Sequence, residues 1–375
     1  MRKDARSNRI GITDRPTAVD CSTLMSIRDT LTRLSPNIGI SDRIAGIVAG
    51  WRAAPASVQP YLEMRDVLEE VRRIPPGNAR VRSIHAILAA LGRPDVLATF
   101  LDALRDSVCR NGTVEQEASR ARLLNVRMHS IYGWCGNTLT VESLHEPSEG
   151  TSPAPLGLAE RLGNAAAAWN LTVHIWQPNA LARGFPASGR IPAGSIVEPP
   201  HSHPFDFMST VVKGELHQSI YSLVGDAAST CAGYYDGIAL QHVDGIWPRH
   251  AFRETVRLRT LEHRVRLRAG DIYYMPSRWI HDVEIDAGRA DRQPTITLFL
   301  STEYIVMPDV YMIDAMADFH EAHPEIKSRG AALPEARWHD KLKAIAEYLR
   351  GRSDGLDLNE IVGHDGEYAF FHLSL

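Results

Sequence analysis

The first third of the chain has apolar residues at the three- and four-residue spacing of helices that bury one face. In QPYLEMRDVLEEVRR this stripe predicts a helix that ends at the pair Pro75-Pro76. The same spacing predicts helices in VRSIHAILAALG and in PDVLATFLDALRDSV, where Pro94 suits a first turn. The positions expected to be buried are Met64, Val67, Leu68, Val71, Val81, Ile84, Leu88, Leu91, Val96, Leu97, Phe100, Leu101 and Leu104. We therefore expect residues 1–125 to form a helical module.

The pattern changes after residue 126, where short apolar runs alternate with segments rich in Gly, Pro and Ser. SIYGWCGNTLTVESL and LTVHIWQP are typical of strands, and LAERLGNAAAAW between them is typical of a short helix. Residues 126–190 are thus predicted to be a mixed α/β connecting segment.

From residue 191 to 305 nearly the whole pattern is that of strands. VRLRTL and RVRLRAG alternate apolar residues with arginine, which is the period of a strand with one buried face. The residues expected on that face are Val256, Leu258, Val265 and Leu267. A run of short strands of this kind predicts a double-sheet barrel or jelly roll.

The last segment, residues 306–375, returns to helical spacing in EARWHDKLKAIAEYLRG and ends in the strand-like EYAFFHLSL. The stripe of this helix is Trp338, Leu342, Ile345 and Leu349. The predicted fold class is therefore α+β, with a C-terminal barrel flanked by an N-terminal helical module and a C-terminal helix.

The amino-acid composition excludes some classes of binding partner. Of the 375 residues 44% are hydrophobic and 23% are charged, and the net charge of −4 provides no field to attract nucleic acid or an anionic membrane. The four cysteines are widely separated and show no CxxC spacing, which favours reduced thiols over a disulfide framework. We expect a cytoplasmic bacterial protein with neither a membrane segment nor an organic cofactor.

Two histidines separated by one serine, His201 and His203, follow a proline pair in GSIVEPPHSHPFDFMSTVVKGEL. Side chains at positions i and i+2 of a strand point the same way, so both rings can reach one metal ion. A third ligand is predicted at His281 in RAGDIYYMPSRWIHDVEID, where it heads a face shared with Val283 and Ile285. The pattern indicates a three-histidine metal site.

The order of these residues resembles the two sequence motifs of the cupin superfamily. The residues that carry the resemblance are His201, His203, Gly214, Gly270, Pro276 and His281. It implies a small β-barrel whose three histidines hold one metal. This chain departs from the pattern at Gly194, which lies one residue further from the first histidine than is common; the pair at 199–200 can absorb that residue. It departs again at Phe207, which occupies the slot that the family fills with glutamate.

The loss of that glutamate implies a particular chemistry. Three neutral imidazoles leave a divalent metal its full charge and open positions for a chelating anion and for dioxygen. Such a shell is similar to that of the thiol dioxygenase branch of the cupins, which use Fe(II). The expected activity is oxygenation of a small anionic or chelating metabolite. Fe(II) is the first choice, with Mn, Ni, Cu or Zn as alternatives.

Further site residues are predicted from the rule that alternate residues of a strand share one face. Phe205 and Phe207 are expected to line the bottom of the cavity around the histidines, and Gln218 is expected to make a polar contact with the substrate. Tyr274 and Trp279 flank the third histidine as further substrate-binding candidates. No general acid or base is assigned.

Two polar residues near the motif remain ambiguous at this level. His217 is expected to face outward or to lie behind the metal ligands, with a role as fourth ligand left open. Asp206 faces away from His203 if the strand is regular, so it is not counted as a ligand.

Alternative functions stay open. A metal-dependent isomerase or lyase would use the same three histidines without oxygen, and a binding cupin would show no turnover. His242, Asp244 and His281, followed by Arg292, resemble the triad and co-substrate arginine of Fe(II)/2-oxoglutarate oxygenases. The long segment 225–252 between strands is either a lid over the site or a surface excursion. A homodimer is a reasonable assembly for a barrel with open edges.

Overall fold

The protein is described here from a computed structural model. The described residues are 27–28, 30, 35–53, 59–108, 127–130, 137–144, 169–176, 195–203, 205–224, 234–241, 254–277, 279–286, 293–304, 309–312, 331–332 and 335–353. They form α-helices and antiparallel sheets, which confirms a mixed α and β structure.

Five helices have both ends within the described residues. They are α1 (Ile38–Ala53), α2 (Gln59–Arg73), α3 (Asn78–Leu91), α4 (Pro94–Val108) and α5 (Glu335–Leu349). All the predicted stripe positions between Met64 and Leu104 are buried except Val81, which is half-buried against the same core. In α5 the stripe positions Leu342, Ile345 and Leu349 are buried, while the side chain of Trp338 lies outside the described residues. The helical spacing thus predicted the buried faces correctly.

No single helix in the described ranges is long and apolar enough to cross a membrane. The pair α3 and α4, bent by 87° at their junction, passes that test together by length and composition only.

The strands form two antiparallel systems. They are β1 (Arg127–Ser130), β2 (Asn137–Leu144), β3 (Trp169–Trp176), β4 (Ser195–His201), β5 (Phe205–Lys213), β6 (Glu215–Val224), β7 (Tyr234–Gln241), β8 (Glu254–Arg268), β9 (Ile272–Met275), β10 (Ile280–Asp286), β11 (Thr295–Tyr304), β12 (Asp309–Met312) and β13 (Ala331–Ala332). Seven strands form a sheet in the order β13-β1-β2-β3-β11-β5-β9, and six close into a barrel in the order β10-β4-β12-β7-β8-β6.

The seven-stranded sheet has two different faces. One face belongs to the same hydrophobic core as the helices, through Leu171, Val173 and Ile175 of β3, Met208 and Val212 of β5, and Ile296, Leu298 and Leu300 of β11. Alternate residues of the same strands, such as Phe207 and Phe299, point the other way, toward His203 and His281. The sheet therefore lies between the helical core and the histidines.

β2 and β3 lie in stretches predicted to be strands, and with β1 they extend the sheet that contains β5, β9 and β11. One sequence interpretation differs from the observed strand order. β7 lies inside the segment predicted as an uninterrupted loop, and it pairs with both β8 and β12 in the barrel. Its sequence YYDGIALQ has no strict alternation, so only pairing with neighbours reveals it as a strand. The predicted helix LAERLGNAAAAW and the terminal EYAFFHLSL lie outside the described residues.

VRLRTL and RVRLRAG are parts of one long strand, β8. Leu258, Val265 and Leu267 are all buried. In a regular strand Leu258 would face the opposite side from the other two, because it is an odd number of residues away. The pairing of β8 with β6 shifts register near Arg264, whose φ is 49°. A bulge locally increases the twist of the strand, so the strict alternation of residues does not continue through it.

Candidate metal centre

The backbone of β4 places His201 directly opposite His281 of β10. From His281 to Val283 the partner strand advances three residues, from 201 to 198, rather than two. The extra residue falls in the pair at 199–200, where proline lacks the N–H that a regular ladder needs. A bulge therefore lies at the proline pair that was expected to absorb the additional residue after Gly194. The side chain of His201 lies outside the described residues.

His203 follows the end of β4 and brings its ring against that of His281. The Nε2 atoms of the two rings are 3.0 Å apart, and the ring centroids are 5.2 Å apart. Two ligands at about 2.1 Å from a metal and at right angles to each other are about 3.0 Å apart. The same distance suits one N–H···N hydrogen bond between two neutral imidazoles. The donor atoms and their spacing therefore fit a divalent transition metal.

Phe207 contacts both of these histidines. Its ring centroid lies 4.7 Å from that of His203 and 5.8 Å from that of His281. Phe299 packs 4.6 Å from Phe207, and Phe205 lies 5.2 Å from His203. Together these rings form an aromatic wall on one side of the histidine pair.

A buried polar pair lies beside the wall. On β6, Gln218 pairs with Val283 and Ile220 pairs with His281, so all four point to the same face of the barrel. Gln218 is 1% exposed, and its Nε2 donates to the hydroxyl of Tyr273 at 2.9 Å. The Oε1 atom of this amide is buried without a hydrogen-bond partner. An acceptor in this position suits a hydrogen-bond donor of a bound molecule.

The tyrosine on this face is Tyr273, rather than the predicted Tyr274. Tyr274 points to the other face of β9, where its hydroxyl donates to Asp206 at 2.7 Å and its ring packs against the helical core. Burial and then this hydrogen bond raise the pKa of the Tyr274 hydroxyl far above its usual value. The period of two in the strand permits only one of the two neighbours to face the histidines. Tyr274 is therefore removed from the substrate-binding candidates.

His217 lies on the opposite face of β6 from Gln218. It pairs with Glu284 on one side and Arg266 on the other. Burial first, and then the charge of Arg264, lower the pKa of this imidazole. His281 points to the face of the barrel that carries Gln218, and His217 points to the opposite face. His217 is therefore not counted as a fourth ligand.

The remaining predicted site residues are Trp279 and those of the alternative triad. Trp279 is half-buried in the turn between β9 and β10, and its backbone N–H donates to the carbonyl of Pro276 at 3.3 Å. The residues of the alternative triad, His242 and Asp244, and Arg292 lie outside the described residues. Among the described side chains, no group of three or more His, Cys, Asp or Glu is arranged to hold a metal.

Sequence reasoning missed Phe299 and His174. Phe299 of β11 bridges Phe205 and Phe207, and His174 of β3 stacks on it with centroids 4.9 Å apart. TITLFLS alternates, and Phe299 is the one apolar residue on the face that it shares with Thr295, Thr297 and Ser301. Alternation within one strand does not show that this face meets the histidines. Only the pairing of β11 between β3 and β5 brings these rings together.

No family model matches the chain, and no curated protein matches it in sequence. Among solved structures, L-ribose isomerase from an Acinetobacter species with bound L-ribose is 16% identical, with 60% of this chain and 92% of that chain covered and a TM-score of 0.26. Pumpkin seed globulin is 13% identical, covers 48% of this chain and has a TM-score of 0.22. An oxalate decarboxylase variant from Bacillus subtilis is 12% identical, covers 48% of this chain and has a TM-score of 0.20.

The chain spans 33% of the length of the globulin and 28% of that of the decarboxylase. Similarities this weak do not indicate an activity. The class of protein is therefore defined by the molecule itself: a helical core on an antiparallel sheet, with a closed barrel and a histidine pair against an aromatic wall.

Proposed function

We propose that the chain is a metal-dependent protein of the cupin superfamily, with His201, His203 and His281 as ligands to one divalent metal. The observation that carries this proposal is the 3.0 Å separation of the Nε2 atoms of His203 and His281. The backbone pairing of His201 with His281 supports the third ligand, since directly paired residues lie side by side in a sheet.

The proposed activity is oxygenation of a small anionic or chelating metabolite, with Fe(II) as the metal. When bound, such a metal supplies open positions for a chelating anion and for dioxygen, because three imidazoles leave its charge uncompensated. Phe207 occupies the place where a carboxylate would neutralise part of that charge, and its ring excludes water from one side of the histidine pair. Gln218 and Tyr273 orient the substrate through its hydrogen-bond donor.

The first test is elemental analysis of protein purified without a metal-affinity tag, for the wild type and for His203→Ala. We expect about one equivalent of a transition metal per wild-type chain after reconstitution and less than about 0.2 in the variant. A wild-type content below about 0.2 equivalents would exclude the metal site.

Oxygen consumption distinguishes the proposed reaction from its alternatives. We expect Fe(II)-dependent oxygen uptake with chelating metabolites that disappears in His203→Ala and in His281→Ala. Turnover that continues without oxygen would instead assign an isomerase or lyase, and metal binding without turnover would assign a binding protein.

A further inference from the structure

The carboxylate of Asp206 connects the two segments that carry the histidines. Asp206 lies three residues after His203, at the start of β5. Its Oδ1 accepts the backbone N–H of Ser277 at 2.7 Å, and its Oδ2 accepts the hydroxyl of Tyr274 at 2.7 Å. Both partners belong to the stretch 272–280 that leads from β9 into His281.

The backbone of Asp206 is held as well. The hydroxyl of Thr302 on β11 donates to its carbonyl oxygen at 3.0 Å. The chain neighbours of Asp206 are Phe205 and Phe207, and the rings of both contact His203. A change at Asp206 would therefore act on the aromatic wall and on the approach to His281 at the same time.

We propose that Asp206 is a positioning residue that sets the separation of His203 and His281. A carboxylate can accept from two donors at fixed angles, and charge-assisted bonds of this kind are among the stronger ones in proteins. Asp206 holds the turn at Ser277 against the start of β5, and in this way it fixes how closely the segments that carry the two rings approach each other. The effect of Asp206 on metal affinity rests on the proposed function, whereas its effect on the geometry of the two histidine rings does not.

The metal arm of the test uses Co(II), whose visible spectrum reports coordination. Dissociation constants are measured by equilibrium dialysis for the wild type, Asp206→Ala, Asp206→Asn and Tyr274→Phe. Supporting residues behind metal ligands change affinity by about 10- to 100-fold, and we expect a loss in that range for Asp206→Ala. Asp206→Asn keeps an acceptor for Ser277, so we expect it to recover part of the loss.

The control is Glu215→Gln, which removes a carboxylate that pairs with Arg266 at an exposed position. We expect the same Co(II) affinity as the wild type. Tyr274→Phe removes only one of the two side-chain bonds, so it keeps the test valid if Asp206→Ala does not fold.

The metal-free arm measures the ring nitrogens directly, by long-range ¹H–¹⁵N NMR of the histidines in protein without metal. We expect the Nε2 shifts of His203 and His281 to change in Asp206→Ala and Tyr274→Phe and to stay unchanged in Glu215→Gln. Wild-type protein that binds no Co(II) would overturn the proposed function, and the NMR measurement would still test whether Asp206 positions the two rings. Unchanged Co(II) affinity and unchanged ring shifts in both variants would overturn the role of Asp206.

Discussion

The ring of Phe207 stands nearly perpendicular to that of His203, with centroids 4.7 Å apart and an interplanar angle of 75°. This contact places a phenyl group where the resemblance to cupins leads one to expect a carboxylate. A phenyl ring adds no charge and no ligand, so the electrostatics beside the histidines depend on the imidazoles and on whatever molecule binds there. The residue type at position 207 therefore bears on the chemistry proposed for the site.

Phe207→Glu should convert the site into a four-ligand one. We expect its affinity for Mn(II) or Co(II) to rise by at least about tenfold, because an anionic oxygen ligand joins the neutral nitrogens. Without metal the same variant should lose about 3 to 5 kcal/mol of unfolding free energy, because the packing of the buried phenyl ring against His203 and Phe299 is removed. Equilibrium dialysis and urea denaturation measure the two effects. The control Phe207→Leu should show no gain in affinity, and equal affinities in both variants would contradict the prediction.

Gln218→Met should leave stability nearly unchanged. The Oε1 atom of Gln218 is buried without a partner, so removing the amide loses one hydrogen bond and also removes that desolvation cost. We expect the unfolding free energy from urea denaturation to change by less than about 1 kcal/mol.

Thr297→Val is the matched contrast for that measurement. The hydroxyl of Thr297 accepts the indole N–H of Trp176 at 3.1 Å, and valine would leave this buried donor unpaired. We expect a loss of about 1 to 3 kcal/mol. A larger loss for Gln218→Met than for Thr297→Val would mean that the glutamine is a structural residue rather than one kept for a ligand.

Glu303→Gln should weaken the attachment of α3 to the sheet in a pH-dependent way. Glu303 accepts from Arg80 at 2.6 Å and from the indole of Trp169 at 2.8 Å. Burial acts to raise the pKa of this carboxyl, but the bonds from Arg80 and Trp169 outweigh it and bring the pKa below its usual 4.5. The stabilisation is therefore complete above pH 4.5 and is lost as the pH falls through the lower folded value.

Urea denaturation of the wild type and of Glu303→Gln at several pH values checks this. We expect a difference of about 1 to 2 kcal/mol at pH 7 that shrinks below pH 4.5. Glu215→Gln, in an exposed ion pair, should cost less than about 0.5 kcal/mol. If the difference in unfolding free energy between the wild type and Glu303→Gln grew as the pH fell, the predicted direction of the pKa shift of Glu303 would be wrong.

Gly214→Ala should destabilise the protein more than Gly270→Ala. Both glycines have a positive φ, 85° and 94°, that a side chain disfavours. A Cβ at Gly214 would lie 3.0 Å from the backbone Cα of Thr295 and closer still to its hydroxyl, whereas one at Gly270 would meet nothing within 4 Å. We expect losses of about 1 kcal/mol at Gly270 and about 2 to 4 kcal/mol at Gly214, measured by urea denaturation. Equal losses would mean that conformation alone, rather than contact with β11, accounts for Gly214.

Much of the fold follows from local patterns. Apolar spacing located α2, α3 and α4 and their buried faces, because a helix of ordinary length must bury one stripe. Alternation located β8, and the period of two along a strand placed Gln218 on a buried face. β7 was missed because its pairing partners, β8 and β12, determine it rather than its own sequence.

By itself the sequence determined the candidate residues: two histidines around one serine, a third histidine after Gly-Asp and Pro, and a phenylalanine at the position where the resemblance to cupins leads one to expect glutamate. Only the tertiary structure decided which of two adjacent tyrosines faces the histidines, that Phe299 completes the wall, and that Asp206 bonds to the turn before His281. The reason is physical. Side-chain period is a property of one strand, whereas contact across strands depends on register, and a single bulge changes register without leaving a mark in the local pattern.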